Sequence, residues 1–211
     1  MHSINEWYFF TEGLDKKTCN KIINSAKGKW EESEVDTKKG SLTDEERIIG
    51  AKPIHGIDKK TRISDVVWTT DQWIVDTIWP YMDGANERAG WKYDIKGAES
   101  MQITRYKKGG FYYFHKDGKG DHLSAYDMPD NEFMHGHVRK LSMTVLLNDN
   151  YEGGEFQFAT YSQEKCNITT PEFNKTGSII VFSSDVEHRV APVTKGIRYS
   201  LVVWFMGPPF K

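Results

Sequence analysis

The chain has almost no cysteine: Cys19 and Cys166 are the two in 211 residues. So distant a pair fits neither a disulfide framework nor a cysteine-rich zinc site. No run approaches the ~20 apolar residues of a membrane span. The opening MHSINEWYFF has no basic region leading into an apolar core, so it is not expected to be a secretory leader. Charge of one sign is not in excess either. The 28 Lys and Arg stand against 30 Asp and Glu, a net charge of −2. That leaves no global basic field for nucleic acid and no acidic tail. Internal repeats, linkers and low-complexity tracts are also missing. These absences predict a cytoplasmic protein in reducing surroundings, with no nucleic-acid and no membrane partner. Asn167-Ile168-Thr169 and Asn174-Lys175-Thr176 fit the glycosylation pattern, and without secretion they read as chance matches.

Aromatic residues are plentiful, at 13%, and spread over most of the chain. The length suits one domain with a substantial core. Trp7 to Phe10 reads as an opening strand. Asp15 is placed to cap a helix in which Cys19, Ile22, Ile23, Ala26 and Trp30 recur at helical spacing. Residues 31–60 are rich in charge, Gly, Ser and Thr and read as a mobile flap with a short strand or turn inside. Residues 62–68 read as a strand. A second helix, capped by Thr70 or Asp71, carries Trp73, Ile74, Ile78 and Trp79. Pro80 is set to kink or end it, and Gly84 and Gly90 punctuate the chain beyond. From Glu99 the period becomes two. Strands are expected at 101–106, 111–115, 140–148, 155–159, 178–182, 188–190 and 197–205, with turns at Gly109-Gly110, 151–154 and 192–196. Two helices followed by short strands and Gly-rich turns predict a mainly β fold with flanking α: a jelly roll, or double-stranded β-helix, with N-terminal helices packed on one sheet. Within a single domain over 1–211, residues 1–98 serve as helical support and flap and 99–207 as the catalytic core.

The stretch 101–117, MQITRYKKGGFYYFHKD, organises the rest. In an extended strand residues i and i+2 share a face, so His115 and Asp117 reach one point. A lone His-x-Asp arises often by chance. With the distant His188 it makes the two-histidine, one-carboxylate set that covers one face of an octahedral metal and leaves positions open, which suits non-haem Fe(II). Ten residues on, the last strand places Arg198, Ser200, Val202 and Trp204 on one face, with Tyr199, Leu201, Val203 and Phe205 on the other. If the turn at 192–196 pairs the two strands, His188 and Arg198 both point inward. An arginine among apolar neighbours is costly unless it meets an anion. An internal Asp or Glu is one such anion. The distal carboxylate of 2-oxoglutarate, a dicarboxylate able to chelate the metal at its other end, is another.

The spaced motifs resemble the Fe(II)/2-oxoglutarate dioxygenases of prolyl 4-hydroxylase type. The family pattern is matched by Gln102, Tyr106, Gly109, Gly110, Tyr112, His115 and Asp117, then by Arg139 to Ser142, Tyr151 to Glu155, and His188 to Trp204. Upstream, Arg62-Ile63-Ser64 and Trp68 are similar to a further family run. The resemblance implies that His115, Asp117 and His188 hold iron. It implies that Arg198, Tyr106, Thr144 and Ser200 form the 2-oxoglutarate site, and that Tyr112, Trp204 and Arg62 line the substrate pocket. Where the family often has a Tyr or Thr to hold 2-oxoglutarate, this chain has Leu146, which gives no hydrogen bond. The intact Asp117 implies hydroxylation, since halogenating relatives replace this carboxylate with a small residue. The implied enzyme is a dioxygenase and oxidoreductase that couples O₂ activation and 2-oxoglutarate decarboxylation to C–H hydroxylation of a peptidyl proline. Its cofactors would be Fe(II), 2-oxoglutarate and O₂, with ascorbate as reductant. Its partner would be a proline-containing peptide or protein, and its state monomer or homodimer. A free amino acid or another protein side chain is the alternative substrate. Rivals from other classes are a zinc-dependent jelly-roll hydrolase, which leaves Arg198 unexplained, and a non-catalytic binding module, which needs no triad. His122, His135 and His137 read as a polar loop or substrate-facing rim, and His2 and His55 carry no role.

Overall fold

Strict alternation along the strands of this computed structural model sends one set of side chains to the helices and the other to an interior between two sheets. The structure describes residues 5–36, 55–118, 125–162 and 165–210. The larger sheet runs, edge to edge, through Trp7–Phe10, Ile179–Ser183, Val138–Leu146, Arg198–Gly207, Met101–Tyr106, Asp65–Thr69 and Glu31–Glu32, with Gly97–Ala98 attached to Arg198–Gly207. The smaller runs through Lys165–Thr169, Phe156–Ser162, Glu187–Val190, Phe111–His115 and Arg62–Ile63. Pairing is antiparallel throughout. This is the expected double-stranded β-helix. Both sheets also recruit strands from before Glu99. The stretch 62–68 is in fact split between them: Arg62–Ile63 joins the small sheet and Asp65–Thr69 the large one.

Helix α1, Lys16–Ser25, starts where Asp15 accepts a hydrogen bond from the Thr18 amide at 2.6 Å, which satisfies an otherwise orphaned N–H. Helix α2, Gln72–Arg88, follows Asp71, whose side chain makes no capping bond. Cys19, Ile22, Ile74, Ile78, Met82 and Ala85 form one core with Met101, Ile103, Leu141, Met143, Val145, Leu201, Val203 and Phe205 of the large sheet. The helices thus cover its outer face, as expected. Pro80 does not end α2, and Gly84 lies inside it. Pro80 is exposed, so the carbonyl it leaves unbonded faces water, while the buried stripe on the opposite side holds the helix to the sheet. Burial pushes the Cys19 thiol up to about 11, which leaves it inert.

The interior between the sheets is lined by Tyr106, Leu146, Phe156, Phe158, Ile180, Phe182, Val190 and Val193. Three expectations need correction. Residues 192–196 do not form a hairpin: Glu187–Val190 belongs to the small sheet and Arg198–Gly207 to the large one. The segment between them carries Val193–Lys195, paired with Glu152–Gly153, and conducts the chain from one sheet to the other. A strand not foreseen, Lys165–Thr169, extends the small sheet; all its residues are exposed, so it has no hydrophobic alternation to betray it. The strand placed at 140–148 lies at Val138–Leu146 instead. The flap expected at 31–60 falls largely on residues 37–54, outside the described residues; of its flanks, Val35–Asp36 pairs with His55–Gly56.

Candidate active site

Antiparallel pairing of Glu187–Val190 with Phe111–His115 sets His188 directly opposite His115. The strand ends at His115, and two residues later the chain brings Asp117 back to the same point. His115 Nε2 lies 3.7 Å from Asp117 Oδ1, and His188 Nε2 lies 3.6 Å from Asp117 Oδ2. The three ligating atoms all fall within 4.8 Å of one another. Each imidazole is oriented through its other nitrogen: His115 Nδ1 meets the Tyr113 carbonyl at 2.8 Å, and His188 Nδ1 meets the Val186 carbonyl at 3.0 Å. A carbonyl only accepts, so Nδ1 carries the proton and Nε2 presents a lone pair to the shared centre. Phe182 and Phe156 wall His188, at ring-centroid distances of 4.6 and 5.4 Å.

Electrostatics favour the ligand forms. Burial, then the neighbouring His188, pushes His115 down to about 3, so it is neutral. Burial works to raise the Asp117 carboxyl, but His188, His115 and Arg139 outweigh it and hold the group below the usual carboxylate range. A neutral imidazole and an ionised carboxylate are what a divalent cation needs. The metal-free protein should carry an acid sensitivity as a result. A histidine with a depressed folded pKa contributes stability that is fully present above its unfolded value, ~6.5, and is lost as pH falls from there towards the folded one. The thermal midpoint of metal-free protein is expected to drop between about pH 7 and about pH 5, and to drop less in His115→Gln. Equal drops in both would show that this buried histidine is not the cause.

Across the interior, on the large sheet, Arg198 is 1% exposed. Its Nη1 donates to Ser200 Oγ at 3.0 Å, while Nε and Nη2 are buried and find no acceptor. Its guanidinium carbon stands 5.6 Å from the Tyr106 ring. The internal carboxylate considered as its partner is not found among the described residues. In register, Arg198 lies opposite Tyr106, Ser200 opposite Thr104 and Leu146, and Val202 opposite Gln102 and Thr144. Thr144 therefore sits at the level of Val202, two same-face steps from Arg198 and one from Trp204 and Ser142. Leu146 is buried among apolar side chains and offers no polar contact. Gly154, at φ +68°, closes the pocket from the side: a Cβ there would come within 2.9 Å of Val193 Cγ2 and 3.1 Å of Arg198 Cδ. Gly154→Ala is expected to cost ~1–3 kcal/mol of stability, read as a fall in thermal midpoint. It should also weaken anion binding at Arg198. An unchanged midpoint would show that the turn yields freely.

Tyr112 stacks on His115, ring centroids 3.5 Å apart, although simple alternation puts residues 112 and 115 on opposite faces. A bulge resolves this: four residues, Tyr112 to His115, span the same length as three, His188 to Val190. Burial pushes the Tyr112 hydroxyl up to about 12, so it stays protonated. Arg62 lies over the Tyr112 ring at 4.6 Å and donates to Ser64 and to Gln102. Trp204 has its indole Nε1 buried and unbonded, with Trp68 packed at 5.9 Å. A second bulge, between Arg139 and Leu141, turns Arg139 inward. There it lies 4.2 Å over Trp204 and is gripped by both Glu99 oxygens at 2.6 Å. Burial opposes its charge, yet the Glu99 pair outweighs that and keeps it protonated. Sequence reasoning gave neither Arg139 nor Glu99 a role, because nothing local announces the bulge. His135 and His137 gather no third ligand among the described residues; His135 Nδ1 stands 3.7 Å from Asp127. His122 lies outside them.

Two imidazoles and a carboxylate at one end of a double-stranded β-helix, faced by a buried guanidinium with free donors, define a mononuclear metal protein of the jelly-roll class with room for an anionic co-ligand. The chain belongs to the 2OG-Fe(II) oxygenase superfamily, whose profile matches residues 101–206. That span holds all three ligands and Arg198. A PKHD-type hydroxylase of Xylella fastidiosa is 33% identical over 113 residues, covering 49% of this chain and 42% of that protein. The match thus spans less than half the length of that relative. Among solved structures, the viral collagen prolyl hydroxylase of Paramecium bursaria Chlorella virus-1, in its 2OG complex, gives a TM-score of 0.60 at 20% identity, over 96% of this chain and 97% of that one. A prolyl hydroxylase of Trichoplax adhaerens, in complex with a hypoxia inducible factor peptide fragment, gives 0.60 at 14% identity, over 95% and 83%. At such identities the likeness is one of fold. No described helix is long and apolar enough to cross a membrane.

Proposed function

We propose that the protein is an Fe(II)- and 2-oxoglutarate-dependent hydroxylase acting on a prolyl residue of a peptide or protein. The observation that carries this is Arg198, a buried cation with two unused donors, set across the interior from a ready metal site. A structural arginine would have its counter-charge inside the fold; this one has none among the described residues, so the anion arrives with the co-substrate. His115, Asp117 and His188 hold Fe(II). Arg198 grips the distal carboxylate of 2-oxoglutarate, Ser200 keeps the guanidinium in line, and Tyr106 and Thr144 border the molecule. With Fe(II) and O₂ bound, 2-oxoglutarate is split to succinate and CO₂ while one oxygen atom enters a substrate C–H bond. The chain's own residues orient and shield: Phe156 and Phe182 exclude water around His188, and Tyr112, Arg62 and Trp204 form the substrate wall.

The peptide substrate is supported by two neighbours in fold, one called a collagen prolyl hydroxylase and one a prolyl hydroxylase with a bound peptide fragment. On this reading residues 99–207 are the catalytic core of a single domain supported by 1–98. The protein works in the cytoplasm as monomer or homodimer, away from membranes and nucleic acid, with ascorbate sustaining turnover. The test is anaerobic titration of metal-free protein with Fe(II) and then 2-oxoglutarate, followed by proline peptides and a succinate assay in air. A charge-transfer band on chelation and peptide-dependent succinate are expected. Tight Zn²⁺ binding at the same residues with no such band would instead favour a hydrolase.

A further inference from the structure

A cavity of about 530 Å³ is lined by residues of α2, of the strand Gly97–Ala98 and of the segment around Phe133, and by none of the three metal ligands. Its apolar lining includes Val75 and Trp79, one turn apart on α2, and Phe133 and Met134. Glu99 lines it too, and the same carboxylate holds Arg139, the guanidinium that lies over Trp204 and acts on Asp117. One ion pair therefore links the lining of the cleft to the metal ligand Asp117. The short strand Gly97–Ala98 lines it as well. One edge of that strand pairs with Phe205 and Met206, and among the described residues the other edge has no strand partner. A Cβ on Gly97 would come within 2.6 Å of the Phe133 ring, so glycine is what lets that ring lie against the strand. At the rim, the Asp76 carboxylate accepts from the Gln72 amide at 2.9 Å and is paired with no cation among the described residues.

We propose that this cleft binds the stretch of the polypeptide substrate that flanks the reacting residue. That stretch lies extended along the free edge of Gly97–Ala98, with an apolar side chain against Val75 and Met134 and a basic residue favoured opposite Asp76. The proposal rests on the peptide-hydroxylase reading and adds to it where selectivity beyond the reacting residue is decided. An extended chain supplies the backbone donors and acceptors that a free strand edge lacks. Its side chains alternate, so one enters the apolar slot while its neighbours stay in solvent.

The probe is a pool of peptides with a fixed central proline and randomised flanks, offered to iron-loaded protein with 2-oxoglutarate and scored by mass spectrometry for gain of one oxygen atom. A modified peptide is then trimmed from either end. Trimming one flank is expected to raise KM ~10-fold or more with kcat unchanged, the effect of losing one buried aliphatic side chain. Val75→Arg and Met134→Arg should each raise KM for the full peptide similarly and abolish the difference between full and trimmed forms. Both should keep the wild-type iron–2-oxoglutarate absorption band, which monitors the fold. A flank dependence that is absent, or that survives in both variants, overturns the cleft alone. If no peptide in the pool gains oxygen, the prolyl hydroxylase reading fails and the assigned occupant fails with it.

Discussion

Arg198→Met should make the free protein more heat-stable while weakening 2-oxoglutarate binding by ~100-fold or more. The two effects have one cause. In the free protein the guanidinium is buried, its Nε and Nη2 are unbonded, and Ser200 is the one hydrogen-bond acceptor it finds among the described residues. Such a cation costs desolvation free energy that no carboxylate among the described residues offsets, and replacing it with an apolar side chain of similar length removes that cost. The same donors are what a carboxylate needs, in a fork that methionine cannot imitate. Thermal midpoints without ligand and 2-oxoglutarate titrations of iron-loaded protein check both halves. Iron affinity itself should be unchanged, since Arg198 belongs to the opposite sheet from the metal ligands. A variant that is less stable and binds 2-oxoglutarate normally would return Arg198 to a structural role.

His188→Ala should do the converse. It leaves the anion pocket whole and removes one of three ligands. Iron affinity should fall by more than the ~10–100-fold that changes behind the ligands typically cost. No charge-transfer band should form at any 2-oxoglutarate concentration, because a chelate needs the metal. Equilibrium titration with Fe(II) under argon reads this directly. Unchanged iron affinity would remove His188 from the metal site and with it the triad. Together the two substitutions separate metal capture from anion capture, which activity alone cannot do.

Much of this site is legible in the sequence because period-two alternation is a strong rule. It puts Arg198, Ser200 and Trp204 on the inward face and Leu201, Val203 and Phe205 against the helices, as found. Asp15 is equally plain, since a capping residue acts on a neighbour three positions away. What escaped reading breaks the alternation. The bulges before His115 and after Arg139 each add a residue that carries no local signature, yet they decide that Tyr112 stacks on His115 and that Arg139 faces inward. The hairpin expected at 192–196 failed for a related reason. Pro, Val, Thr, Lys and Gly suit a tight turn, and only the pairing of Val193–Lys195 with the distant Glu152–Gly153 turns the segment into a bridge between sheets.

That bridge acts as a ruler. His188 and Arg198 are ten residues apart, and the chain between them crosses from the layer that holds the metal ligands to the layer that holds the guanidinium. Its length sets the phase in which the last strand enters its layer. One residue more or fewer would turn Arg198 outward and carry Tyr199 into the interior. The length of the crossing is therefore fixed by the two layers it joins. Any molecule reaching from metal to guanidinium rivets the two layers at that gauge.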